Sequence, residues 1–192
     1  QEDLMDWVQT NVWQNLVSNY RNPKHVAALA SGVYNEKVEC ISTSTEKIEY
    51  VPIKPDFNQQ KGQMLDLIRK LIKSAKPSDI ALLCPYANGG CLKDVSQVDG
   101  VKLVNNVDDW LNNQGILQTT QRSFKGLEAT IVVIYGVTDI EGVSTEEHVV
   151  FRKSDMYVAC SRTQLKLYVY TTRELIPRLK EMEVWALTEG EE

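Results

Sequence analysis

Three short apolar runs constrain the fold of this chain more than any other feature: Ile80-Ala81-Leu82-Leu83-Cys84, Thr130-Ile131-Val132-Val133-Ile134-Tyr135 and Leu165-Lys166-Leu167-Tyr168-Val169-Tyr170. The first two are continuously apolar over strand length, as strands covered on both faces are. The third alternates like a strand nearer a sheet edge. Segments of helical period lie between them. Met64, Ile68, Leu71 and Ile72 recur at helical spacing between about Gln60 and Ala75, where Pro77 closes the pattern. Val149, Met156, Tyr157 and Cys160 fall on one side of a stretch from about Glu147 to Ser161. Asn22 before Pro23 reads as another helix start, its amide oxygen capping the first turn, with Val26, Leu29, Ala30 and Val33 on one face. Strands alternating with helices predict an α/β domain with a mostly parallel sheet, and ligands on such sheets sit outside the carboxyl ends of the strands.

A chain of 192 residues can bury one core of this kind, and no repeat, low-complexity tract or interdomain linker divides it, so residues 1–192 read as a single domain. Turn-rich stretches fall at Ala87-Asn88-Gly89-Gly90 and Asp139-Ile140-Glu141-Gly142, and the region from Cys91 to Gln114 is the least legible. The net charge of -5 means that any nucleic acid must be met by a local basic surface. No apolar stretch approaches the roughly 20 residues that cross a bilayer, and the N-terminus QEDLMDWVQT is acidic where a signal peptide would be basic and then apolar. The expectation is a soluble intracellular protein with no membrane partner, cytoplasmic in a bacterium or nuclear in a eukaryote. Cys40, Cys84, Cys91 and Cys160 are too scattered for metal-ligand spacing and read as reduced structural thiols. His25 and His148 read as solvated or capping residues on helices, and the start at Gln1 suggests a piece of a longer protein.

Three polar constellations are candidates for chemistry. In Asn19-Tyr20-Arg21, an arginine beside a helix start can pair with phosphate while the ring stacks on a base; taken alone, the same residues give an exposed Arg and a half-buried Tyr. In Thr119-Thr120-Gln121-Arg122-Ser123-Phe124-Lys125-Gly126-Leu127-Glu128, after the β-like Ile116-Leu117-Gln118, Gly126 permits close backbone approach and Glu128 can accept from a sugar hydroxyl. Composition alone makes it a polar loop with a turn glycine. In Tyr157-Val158-Ala159-Cys160-Ser161-Arg162-Thr163, Arg162 ends a helix, where a cation is favoured by the dipole and can also meet a transferring phosphoryl group.

Their order is more telling than any one of them. NYR with a helix, then a buried strand, then SFKGLEA with a strand, then YVACSRT with a strand closely resembles the second, C-terminal RecA-like domain of superfamily 1 DNA helicases of the UvrD/Rep type. The family's fourth motif is typically NYR followed by Ser or Asn, its fifth T-x-H-x-x-K-G-L-E and its sixth Y-V-A-x-[ST]-R-A. The resemblance runs from about Val12 to Thr171 and rests most on KGLE followed by VACSR. It implies a RecA-like three-layer α/β/α domain, the C-terminal ATPase half of an ATP-dependent DNA helicase or translocase. Tyr20 would stack on adenine, Arg21 and Arg162 would reach the γ-phosphate, and Gly126 and Glu128 would face the nucleotide, with Glu128 on the ribose. Thr120 and Arg122 would lie toward single-stranded DNA. Arg122 stands where the family usually has His, and Thr163 where it usually has Ala.

The chain has neither a G-x-x-x-x-G-K-[ST] loop nor a D-E-x-Q-like strand end. ATP and its magnesium would therefore be held by an N-terminal RecA-like domain of the same protein, and the chain alone is expected to be inactive. A catalytically inactive helicase-like module that binds protein or nucleic acid would share the fold. An unrelated α/β enzyme, such as a small-molecule transferase, would need a catalytic set that the sequence does not display.

Overall fold

Each of the three apolar runs forms a strand, and alternate side chains of each enter two separate cores. In the computed structural model, which describes residues 18–19, 21–37, 39–40, 42–143 and 151–187, the elements in chain order are β1 (Ser18–Asn19), α1 (Lys24–Gly32), β2 (Glu39–Cys40), β3 (Glu49–Pro52), α2 (Phe57–Leu71), β4 (Ile80–Leu83), β5 (Gln97–Val98), β6 (Val101–Val104), α3 (Val107–Leu111), β7 (Ile116–Thr119), β8 (Ala129–Val137), α4 (Lys153–Ser161), β9 (Thr163–Thr171) and α5 (Leu175–Leu187). The main sheet has the order β3-β9-β8-β4-β7-β6-β5. All its pairings are parallel except the β5–β6 hairpin, and β1 and β2 form a separate two-residue parallel pair.

Ala81 and Leu83 of β4, Val132 and Ile134 of β8, and Leu167 and Val169 of β9 face the layer of α1, α4 and α5. Ile80 and Leu82, Ile131 and Val133, and Tyr168 and Tyr170 face α2 through Met64, Leu67, Ile68 and Leu71. A period of two with both faces covered is what continuous apolar runs require. The result is a three-layer α/β/α domain of the RecA-like kind with a mostly parallel sheet. The third run, β9, lies one strand in from the edge, with β3 outside it.

Several expected details change. Asn22 does not cap α1: the cap position is Pro23, and no side chain caps this helix. Val26, Leu29, Ala30 and Val33 are buried as expected. Helix α2 starts earlier than Gln60 because Asp56 Oδ1 accepts from Gln59 N at 3.0 Å, and it ends at Leu71, with Pro77 opening a separate 3-10 turn. Met156 and Cys160 are buried on α4, but Tyr157 is 47% exposed and meets Tyr34 edge-on at 6.0 Å between ring centres. Glu147, His148 and Val149 lie outside the described residues.

His25 is neither solvated nor capping. Its Nδ1 lies 2.6 Å from Glu183 Oε1, bringing α1 against α5. Cys84, Cys91 and Cys160 are free and buried. Burial pushes the thiols of Cys84 and Cys91 up to about 11, and that of Cys160 upward as well, as expected of structural cysteines. Among the described residues no helix is long and apolar enough to cross a membrane.

Candidate functional site

Two arginines from distant parts of the chain converge on one carboxylate at the amino ends of β8 and β9. The register pairs Ala129 with Thr163, and Ala129 N donates to Arg162 O at 3.1 Å, so Glu128 and Arg162, each one residue before its strand, stand side by side. Arg162 is the C-cap of α4. Helix α4 runs back antiparallel to β9, which delivers its cationic end to the amino edge of the sheet.

The segment bearing Arg21 is fastened here by its neighbour. Asn22 is only 2% exposed, and its Nδ2 donates to Thr163 O at 2.7 Å and Cys160 O at 3.2 Å. Arg21 Nη1 then lies 2.5 Å from Glu128 Oε1, and Arg162 Nη1 lies 3.9 Å from the same oxygen. Gln164 Nε2 donates to Glu128 Oε2 at 3.2 Å. The Arg21 side chain is largely exposed, while those of Arg162 and Glu128 are partly covered. The Arg162 Nε–H is buried and meets no acceptor among the described atoms.

The expected location is therefore corrected. These three side chains gather at the amino ends of the strands, because the loop before β8 and the α4–β9 junction both arrive there. Gly126 lies two residues from Glu128 with φ +92°, a conformation that favours glycine, and a Cβ added there would meet nothing within 4 Å. Its open side faces outward. Tyr20 is outside the described residues.

Thr120 and Arg122 belong to the opposite end of the sheet. Leu83 pairs with both Thr119 and Ile134, so Thr120 leaves β7 five residues up from the start of β8, about 16 Å along the strand direction. Thr120 Oγ1 donates to Ser123 Oγ at 3.1 Å and accepts from Ser123 N at 3.2 Å, which shapes the turn. The fully buried Phe124 anchors that turn against Trp110, with ring centres 6.1 Å apart. Arg122 is exposed, its Nε 3.8 Å from Oδ1 of the buried Asp155 in the first turn of α4. Beside Thr120 a polar crevice of about 380 Å³ opens at the carboxyl ends of β4 and β7, lined by Tyr86, Asn88, Lys93, Asn105, Gln118 and Thr119.

Thr163, fully buried, donates from Oγ1 to Ala159 O at 2.9 Å and so occupies a carbonyl in the last turn of α4. Sequence reasoning did not reach Gln164, Asp155 or the true partners of Asn22. Asn before Pro is also a helix-cap signature, and none of these contacts is local in sequence.

No family model matches the chain, and no curated protein matches it. Among solved structures, the C-terminal domain of a possible DNA helicase from Lactobacillus plantarum WCFS1 is similar with a TM-score of 0.47 at 16% identity, over 80% of this chain and 88% of that one.

Proposed function

We propose that this domain is the C-terminal ATPase half of an ATP-dependent DNA helicase or translocase. It supplies Arg21 and Arg162 as arginine fingers to ATP bound in a cleft shared with an N-terminal RecA-like domain of the same protein. The observation that carries this reading is the convergence of both guanidiniums on a single oxygen of Glu128. A planar fork that pairs with carboxylate pairs equally well with phosphate. The orphaned Arg162 Nε–H fits a guanidinium whose further acceptor belongs to a ligand.

In this reading the γ-phosphoryl oxygens compete with Glu128 for the two arginines. Glu128, turned from them, accepts from a ribose hydroxyl, Gly126 keeps the backbone clear of the nucleotide, and Tyr20 stacks on adenine. Magnesium, which neutralises charge on the β- and γ-oxygens, is assigned to the N-terminal domain. The arginines act on charge that grows on the γ-phosphoryl oxygens mainly in the transition state. Loss of that charge after hydrolysis would loosen the cleft, and alternate closing and opening would step the domains along single-stranded DNA held in part by Thr120 and Arg122.

Steady-state kinetics on the two-domain protein, beside a separate nucleotide titration, test the reading. Arg21→Ala and Arg162→Ala should each lower kcat by about 10³ to 10⁵ with a much smaller rise in Kd. Arg162→Lys should restore little, since a point charge lacks the fork. If Arg162→Ala instead raised Kd as much as it lowered kcat/KM, with kcat intact, Arg162 would be a uniform binder or a helix cap and not a finger.

A further inference from the structure

We propose that Asn22 is the positioning residue of the arginine pair, setting the separation between Arg21 and Arg162 through the two N–H bonds of one amide. The inference rests on reading that pair as a receptor for phosphoryl oxygens, and it assigns to Asn22 a task that neither arginine can perform for itself.

Arg21 belongs to a segment of no regular structure just before α1, and its side chain is largely exposed. Its guanidinium meets Glu128, the carboxylate that Arg162 also faces. Arg162 is held at the junction of α4 and β9, where its backbone N–H bonds to α4 and its carbonyl accepts from Ala129 N. A tie between these two segments fixes how far apart the arginines stand. Asn22, adjacent to Arg21, sends one N–H to Cys160 O and the other to Thr163 O, the carbonyls that bracket Arg162 on its two sides.

The chemistry of the side chain suits this task. A carboxamide nitrogen carries two donors at a fixed angle, whereas serine and threonine have one and aspartate has none when ionised. At 2% exposure the two bonds are shielded from water, and their loss would take one donor from Thr163 O and one from Cys160 O, which the Arg162 N–H also meets. Arg21, Glu128 and Arg162 are thus stitched by bonds from three segments: Asn22 to 160 and 163, Ala129 to 162, and Gln164 to 128. Only the first of these ties includes the segment that bears Arg21. Without it, Arg21 can still meet Glu128, but the two guanidiniums no longer share a fixed target.

The test is a double-mutant cycle on the full chain, titrated with pyrophosphate by calorimetry at low ionic strength while melting temperature is followed in parallel. Asn22→Ala should weaken pyrophosphate binding about tenfold, and Arg162→Ala should do likewise. In the Arg162→Ala background, Asn22→Ala should weaken it no further, because Asn22 acts only by registering the pair. Its melting temperature should fall in both backgrounds. Asn22→Ser, which keeps one donor, serves the same comparison with a smaller loss if Asn22→Ala does not fold. If the wild-type chain binds and Asn22→Ala binds as well, or loses an equal factor in both backgrounds, Asn22 is merely structural and the receptor reading stands without it. If neither the wild-type chain nor Glu128→Gln, which removes the competing charge, binds pyrophosphate, the receptor reading fails and the positioning role falls with it.

Discussion

Asn22 and Glu183 show how much of this domain is decided by single buried polar side chains. Glu183 on α5 is 8% exposed, and it accepts from Tyr50 Oη at 2.6 Å while His25 Nδ1 lies 2.6 Å from its other oxygen. A carboxylate only accepts, so His25 presents its Nδ1–H and one residue joins α1, α5 and β3. Burial first, and then the Glu183 carboxylate beside it, pushes the Tyr50 phenol well above its ordinary value, which keeps it a neutral donor. Glu183→Ala should therefore cost about 1–3 kcal/mol, because two partly buried donors lose their acceptor. Glu183→Gln, which keeps one acceptor oxygen, should recover part of it. Urea unfolding of both variants checks this, and an alanine variant as stable as the wild type would show the network to be idle. None of it was legible in the sequence. His25, Tyr50 and Glu183 carry no local pattern and meet only because the sheet places β3 under two helices. Arg21, Glu128 and Arg162 were legible as candidates because each sits in a short motif next to a helix or strand boundary. Their common meeting point at the amino edge was not.

At the scale of elements, α2 covers one face of the sheet together with Cys91 and Leu92 of a 3-10 turn, and its start is set by one cap. The Asp56 carboxylate satisfies the otherwise orphaned N–H of Gln59. Asp56→Ala should cost about 1 kcal/mol and lower the urea midpoint with no change in the slope of the transition. A changed slope would mean that the compactness of a state has altered, and the cap account would be wrong. The strands read from the sequence were those with an apolar run, β4, β8 and β9, with β7 marked as a short β-like segment. The missed elements were short or mixed: β3 is Glu-Tyr-Val-Pro, and α3 buries only Trp110. Yet the β5–β6 hairpin did carry a local signal. Asp99 and Gly100 take φ of +47° and +85° in a two-residue turn, the conformation that Asp-Gly favours between paired strands. The start of α2 likewise had its mark in Asp56, three residues before Gln59, although the apolar spacing that defined the helix begins only at Met64.

Across the whole molecule the candidate contacts divide between the two ends of the sheet, with α4 as the rod between them. From Asp155 facing Arg122 to Arg162 facing Glu128 it runs about 10 Å. A change at the arginine pair and a change at the Arg122 turn would thus act on opposite ends of one rigid element, as the proposed coupling of nucleotide and DNA requires. The end proposed for DNA is weakly equipped. On a chain of net charge -5, Arg122 and Lys93 flank the turn and the crevice, Arg152 and Lys153 start α4 at the same end, and Tyr86, 41% exposed in the crevice lining, offers a ring. Single-strand binding by this chain should therefore be weak, and its salt dependence should report few phosphate contacts, each adding about 0.7 to the magnitude of the log–log slope. Arg122→Ala should weaken binding and reduce that slope by roughly one contact. Tyr86→Ala should weaken it by the ~1–3 kcal/mol of a lost stacking platform and leave the slope unchanged. Fluorescence anisotropy with a labelled oligonucleotide over a salt series separates the two effects. Tight binding that survives high salt, or an Arg122→Ala variant that binds like the wild type, would remove the carboxyl edge from the DNA track, and α4 would then link the arginine pair to nothing at its far end.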